Sequence, residues 1–136
     1  IVEFAPFGDG IDRSLILKAE HFFGLKFPDT YKWWLLNYGG GEIFYEEIYS
    51  LYEHGLDDDF SGGDICHIHK LNKDSDFVNK KKIYICEGPG SDECYYFKPN
   101  DEIEWPIYRS DVGLNNEVLY ANDFIDFLIN KISEAE

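Results

Sequence analysis

AEHFFGLKFPDTYKWWLLNYGGG, residues 19–41, holds the end of one helix, the whole of a second and the exit from it. Upstream, Leu15, Ile16, Ala19, Phe22 and Phe23 recur at helical spacing, so residues 11–23 are expected to form a helix. Asp12 is placed to cap its start and Gly24 to end it. Residues 28–38 read as a second helix. Pro28 suits its first turn, where a missing N–H costs nothing, and Tyr31, Trp34, Leu35 and Tyr38 form one face. The triplet Gly39-Gly40-Gly41 follows as an exit that uses positive φ. It is not a phosphate cradle, because such loops precede a helix N-terminus and this one follows a helix.

Beyond Glu42 the hydrophobic period changes from helical to two. Residues 42–52 are expected to form two short strands or one bent strand, followed by a polar loop over 54–64. Residues 65–69 and 83–86 read as further strands. Residues 93–97 should pair with 83–87 as a hairpin across a Gly-containing connection. Residues 106–109 make the next strand, and 110–117 a polar loop. Residues 123–133 form a closing helix with Phe124, Phe127, Leu128 and Ile132 as its buried stripe. Asn122 is its expected cap, and Asp123 and Asp126 suit its positive end. The expectation is one α+β domain over residues 1–136, with an N-terminal helix pair and a C-terminal helix packed on a mostly antiparallel sheet.

The charge narrows the function. Twelve Lys and Arg stand against 27 Asp and Glu, a net charge of −15. Phosphate binding needs clustered cations, so nucleic acid is not an expected partner. An anionic membrane surface is disfavoured for the same reason, and no run of 18 apolar residues is present. The three cysteines, Cys66, Cys86 and Cys94, are odd in number and irregular in spacing, which points to a reducing, cytoplasmic setting rather than a disulfide framework. The absence of Met implies that the native start precedes Ile1.

Motifs for catalysis are missing. There is no G-x-S-x-G, and the cysteines sit in apolar surroundings that leave a thiol inert. On a strand, His67 and His69 would share a face, but a zinc site needs three or four ligands and no C-x-x-C or H-E-x-x-H accompanies them. Asp57, Asp58 and Asp59, with Asp64 nearby, lack the EF-hand spacing for calcium and read as a solvated acidic loop, or one that presents charge to a basic partner. No catalytic, metal or cofactor residue is assigned. Aromatics such as Phe4, Phe7, Tyr45, Tyr49, Tyr52, Tyr95, Tyr96 and Tyr108 exceed what one core of this size needs. They interleave with acids rather than bases, so a minority are expected to serve protein contact.

Taken together, Glu20, Gly24, Phe27, Pro28, Tyr31, Trp34, Leu35, Gly39 and Gly40 resemble the opening of the SUKH superfamily. Tyr95-Tyr96-Phe97 resembles its central strand, Pro106-Ile107-Tyr108 its Pro-Val-Tyr strand, and Ala121 through Leu128 its closing helix. Lys98 stands where many members carry Asp. The resemblance covers roughly residues 11–132. It implies helices packed on a sheet and no catalytic residues. It also implies one of two roles: an immunity protein that neutralises a cognate toxin, often a nuclease, or a regulator of cell-wall and glucan synthesis. Joined to the charge, it favours the first, with a basic toxin surface as the partner. Tyr45, Glu46, Glu47, Asp57, Asp58 and Asp59 are the expected contacts, chosen for charge and exposure.

Overall fold

The computed structural model describes residues 2–4, 8, 10–43, 46–57, 63–72, 82–87, 93–111 and 116–134. Among these residues, seven strands form one open antiparallel sheet: β1 (Val2–Phe4), β2 (Gly41–Ile43), β3 (Glu46–Ile48), β4 (Ile83–Glu87), β5 (Glu93–Phe97), β6 (Ile107–Asp111) and β7 (Glu117–Ala121). Their spatial order is their order in the chain, a continuous meander. Four helices pack on the sheet: α1 (Arg13–Phe23), α2 (Asp29–Asn37), α3 (Ile65–Asn72) and α4 (Phe124–Glu134).

The ends of α1 follow from local sequence. Asp12 Oδ1 accepts the Ser14 N–H at 2.9 Å. Gly24 takes φ +69°, and the N–H groups of Gly24 and Leu25 return to the carbonyls of His21 and Glu20, a double bond to the last turn that only a left-handed residue permits. The Glu20 carboxylate then accepts the Phe27 N–H at 2.7 Å and ties the turn to the helix it leaves.

The ends of α2 are built by distant chain. Its N-cap, Pro28, has no side-chain acceptor. Glu104 supplies one from 74 residues away, taking the Thr30 N–H at 3.1 Å and the Thr30 hydroxyl at 2.6 Å. At the other end, the N–H groups of Gly8 and Ile11 donate to the carbonyls of Asn37 and Leu35. Gly10 passes so close that a Cβ there would stand 2.0 Å from the Leu36 oxygen. The triplet's first member, Gly39, takes φ +78° as the helix exit requires. Tyr31 and Trp34 meet Phe97 and Phe124 in the core between α2, α4 and β5.

Three local expectations are corrected, and two strands have no counterpart in the sequence reading. Residues 65–69 are not a strand but the start of α3, because Asp64 caps a helix there: its Oδ1 accepts the His67 N–H at 2.9 Å while its Oδ2 takes the Tyr52 N–H at 2.8 Å. Ile65 and Ile68 stand three apart, a helical spacing that a strand would send to opposite faces. Asp123, not Asn122, caps α4 by accepting the Asp126 N–H at 2.8 Å. The expected loop over 110–117 is entered by β6 as far as Asp111 and left by β7 at Glu117; residues 112–115 lie outside the described residues. Finally, β1 and β7 are edge strands with too little alternation to be read from sequence.

Candidate functional site

The helices cover one sheet face, and strand parity sends side chains alternately to it and away from it. Phe4, Ile43, Ile48 and Cys86 turn toward the helices or core. Their neighbours Glu3, Glu42, Glu47 and Glu87 therefore turn to the opposite face. Register aligns these four: Glu3 pairs with Glu42 and Glu42 with Glu47, and the pairing of Ile48 with Cys86 sets Glu47 opposite Glu87. The result is a row of four carboxylates across β1 to β4. Directly opposed side chains lie about 5 Å apart, where like charges destabilise a sheet. Burial, reinforced by the charges of Glu42 and Glu87, raises the Glu47 carboxyl above its ordinary range. Glu3, Glu42 and Glu47 also border a groove of about 560 Å³ that Tyr52 lines.

The same row continues into a different environment. Glu87 pairs with Cys94, Cys94 with Ser110, and Ser110 with Glu117. Glu117 accepts hydrogen bonds from Tyr96 Oη and Lys98 Nζ and lies 3.6 Å from Lys82 Nζ. Burial works against its charge, but those bonds and the two lysines outweigh it and hold the carboxyl below its usual range. Lys82 also sits over the Tyr96 ring and Lys98 over the Tyr108 ring.

The six expected contacts are dispersed. Glu47 lies in the row. Glu46, its neighbour, turns to the helix side and pairs with Lys131 of α4, which is only 5% exposed. Lys131 also donates to Tyr95 Oη at 3.3 Å, and burial lowers its pKa. Glu46 is thus engaged within the fold. Asp57 is exposed and stands 3.2 Å from His54 Nδ1. Tyr45, Asp58 and Asp59 lie outside the described residues, as does Phe7. The residues missed were Glu3, Glu42 and Glu87. The signal for Glu42 was present: once residues 42–48 are read as two strands with Ile43 opposite Glu46, Glu42 must face Glu47.

Other chemistry was weighed at the same positions. The helix puts His67 and His69 about 200° apart rather than on one face. Among the described residues, no three His, Cys, Asp or Glu side chains gather so as to hold a metal ion. Asp64 is spent as a helix cap, and a Cβ on Gly55 would collide with its carboxylate. Cys66 and Cys86 are buried free thiols whose pKa burial pushes up to about 12, far from a reactive thiolate. Most of the aromatic surplus is consumed by the core: Tyr49, Tyr95 and Tyr96 are buried, while Tyr52 stays exposed beside the acidic groove. No helix among the described residues is long and apolar enough to cross a membrane.

Comparison with curated proteins returns no significant match. Several of the residues that resemble the SUKH pattern have structural tasks: Glu20 and Gly24 close α1, and Tyr31, Trp34 and Leu35 fill the core. The chain belongs to the SMI1 / KNR4 family (SUKH-1), a model of which matches residues 10–130.

Proposed function

We propose that this protein acts by binding rather than catalysis, as an immunity protein that neutralises a cognate toxin with a basic surface. The observation that carries the reading is the row Glu3, Glu42, Glu47 and Glu87, four in-register carboxylates on the face away from the helices. A fold that keeps like charges opposed loses stability by it. A cationic partner relieves that repulsion, so the row supports binding to a basic protein. A net charge of −15 adds long-range attraction, and such steering raises association rates up to ~10⁸–10⁹ M⁻¹s⁻¹ at low salt. Nucleases carry basic substrate faces, which makes a toxic nuclease a fitting partner.

The test is the association rate with the toxin encoded beside the gene, measured across a salt series. The expected rate falls steeply with salt, and Glu42→Gln/Glu47→Gln slows association roughly tenfold at low salt. Absence of binding, or a rate indifferent to salt and to those substitutions, rules the reading out. The family resemblance implies a second role, as a regulatory adaptor of cell-wall or glucan synthesis, which the match to the family leaves equally open. Recovery of wall-synthesis proteins and no toxin in a pull-down would favour it.

A further inference from the structure

The sheet has two edges, and they are treated differently. At one edge, β1 carries Glu3, the first member of the acidic row. A carboxylate on an edge strand is a common guard against pairing with another chain. At the other edge, β7 has no such guard among the described residues. It contains no proline, and Val118 and Leu119, on opposite faces of the strand, are 47% and 55% exposed. Its one carboxylate, Glu117, is engaged by Lys82 and Lys98. α4 packs on the C-terminal end of the strand, where the Tyr120 carbonyl accepts from Asn130 Nδ2 at 2.9 Å and the Tyr120 ring meets Phe127. Val118 and Leu119 are thus left exposed, one on each face of the strand.

We propose that a second copy of this chain pairs antiparallel with β7, edge to edge, about a two-fold axis at Val118 or Leu119. What an edge strand lacks is the backbone of another strand, and β7 is self-complementary as it stands. With the axis at Val118, Glu117 faces Leu119 of the copy; with the axis at Leu119, Glu117 faces Ala121. Neither register opposes two carboxylates, whereas the same operation about Glu3 on β1 would oppose two directly. The surroundings are also close to neutral. Lys82, Lys98 and Arg109 lie near Glu117 and Glu134, in a protein whose excess negative charge lies elsewhere. The net −15 on each copy still opposes approach at long range, and salt screens that repulsion over about 8 Å at physiological strength. One strand pair buries far less than the ~1,000 Å² of a stable interface. The pairing is therefore weak, concentration-dependent and promoted by salt, opposite in salt response to binding a basic toxin.

Sedimentation of the full chain over a range of concentrations, at low and high salt, tests this. The expected weight-average mass climbs from the monomer toward double it with concentration, and climbs further with salt. Leu119→Asp, which in either register sets a carboxylate against Glu117 or against itself, should stay monomeric under the same conditions. Amide hydrogen exchange supplies a second measurement on the wild type: the backbone amides of β7 should slow with protein concentration while those of β1 do not. A chain that stays monomeric at every concentration and salt overturns the proposal. So does a Leu119→Asp protein that associates as the wild type does, or concentration-dependent protection that falls elsewhere than β7. None of these outcomes depends on the toxin.

Discussion

Glu47 and Glu117 occupy one cross-strand row on one sheet face, yet the fold treats them in opposite ways. Glu47 stands between Glu42 and Glu87, and its carboxyl is pushed toward the protonated form. Glu117 is grasped by Lys98, Lys82 and Tyr96, and its carboxyl is held ionised. Among the described residues, the half of the row over β1 to β4 meets no cation, its Glu87 holding only the neutral hydroxyl of Tyr49, and the half over β5 to β7 is neutralised within the chain. Acidity alone does not define a binding surface in this protein. The distinction lies in which carboxylates already have partners, and Glu46 makes the point at closest range: one residue from Glu47, it faces the helices and is paired with Lys131.

The largest way to break that contrast is Lys131→Met. It leaves the Glu46 carboxylate mostly buried without its cation, and is expected to cost about 3 kcal/mol in denaturant unfolding. Adding Glu46→Gln should recover much of the loss; equal loss in the single and double variants would show that the pair is not the cause. Lys82→Ala with Lys98→Ala makes the neutralised half resemble the acidic half. Both lysines are partly exposed, so the expected cost is about 1 kcal/mol, and unchanged stability would mean that Glu117 is not held by them. In the acidic half the sign reverses. Glu42→Gln removes a charge opposed by carboxylates on two sides and should gain roughly 0.5 kcal/mol, while weakening association with the proposed basic partner.

The smallest effects are in pH dependence, and they sharpen the comparison most directly. For Glu47 the folded pKa lies above the ordinary value of 4.5. The folded state therefore holds the proton longer, and stability falls as pH rises through the window between 4.5 and that raised value. Glu47→Gln should be the more stable protein at neutral pH, with the advantage vanishing below pH 4.5. For Glu117 the folded pKa lies below 4.5, so its contribution is present above 4.5 and lost as pH falls through the depressed value. Glu117→Gln should be less stable at neutral pH, with the cost vanishing in acid. Thermal unfolding of both variants between acid and neutral pH checks the opposite signs; the same sign in both would collapse the distinction.

Local sequence made α1 and its ends legible, because Asp12, Glu20 and Gly24 act within a few residues of one another. It also made the β4–β5 hairpin and the buried stripe of α4 legible, because periodicity reports burial directly. The helix α3 was misread because so short an apolar stretch, Ile65 to Ile68, does not announce its period, and the deciding group, Asp64, reveals itself as a cap only when the helix is present. Of the candidate site, Glu47 was found by its charge, while Glu3, Glu42 and Glu87 were not, since each is an ordinary surface acid until strands are set in register.

The sequence by itself determined the composition of the two layers, the helix ends that local caps close, and an acidity that disfavours nucleic acid and membrane surfaces. Only the tertiary structure decided which acids, among the described residues, meet a cation and which meet another acid. Whether a carboxylate meets a lysine or another carboxylate depends on strand order and register, which bring together residues as far apart as Glu3 and Glu42 or Lys98 and Glu117. Charge is a property of the residue, but its compensation is a property of the neighbours that folding supplies.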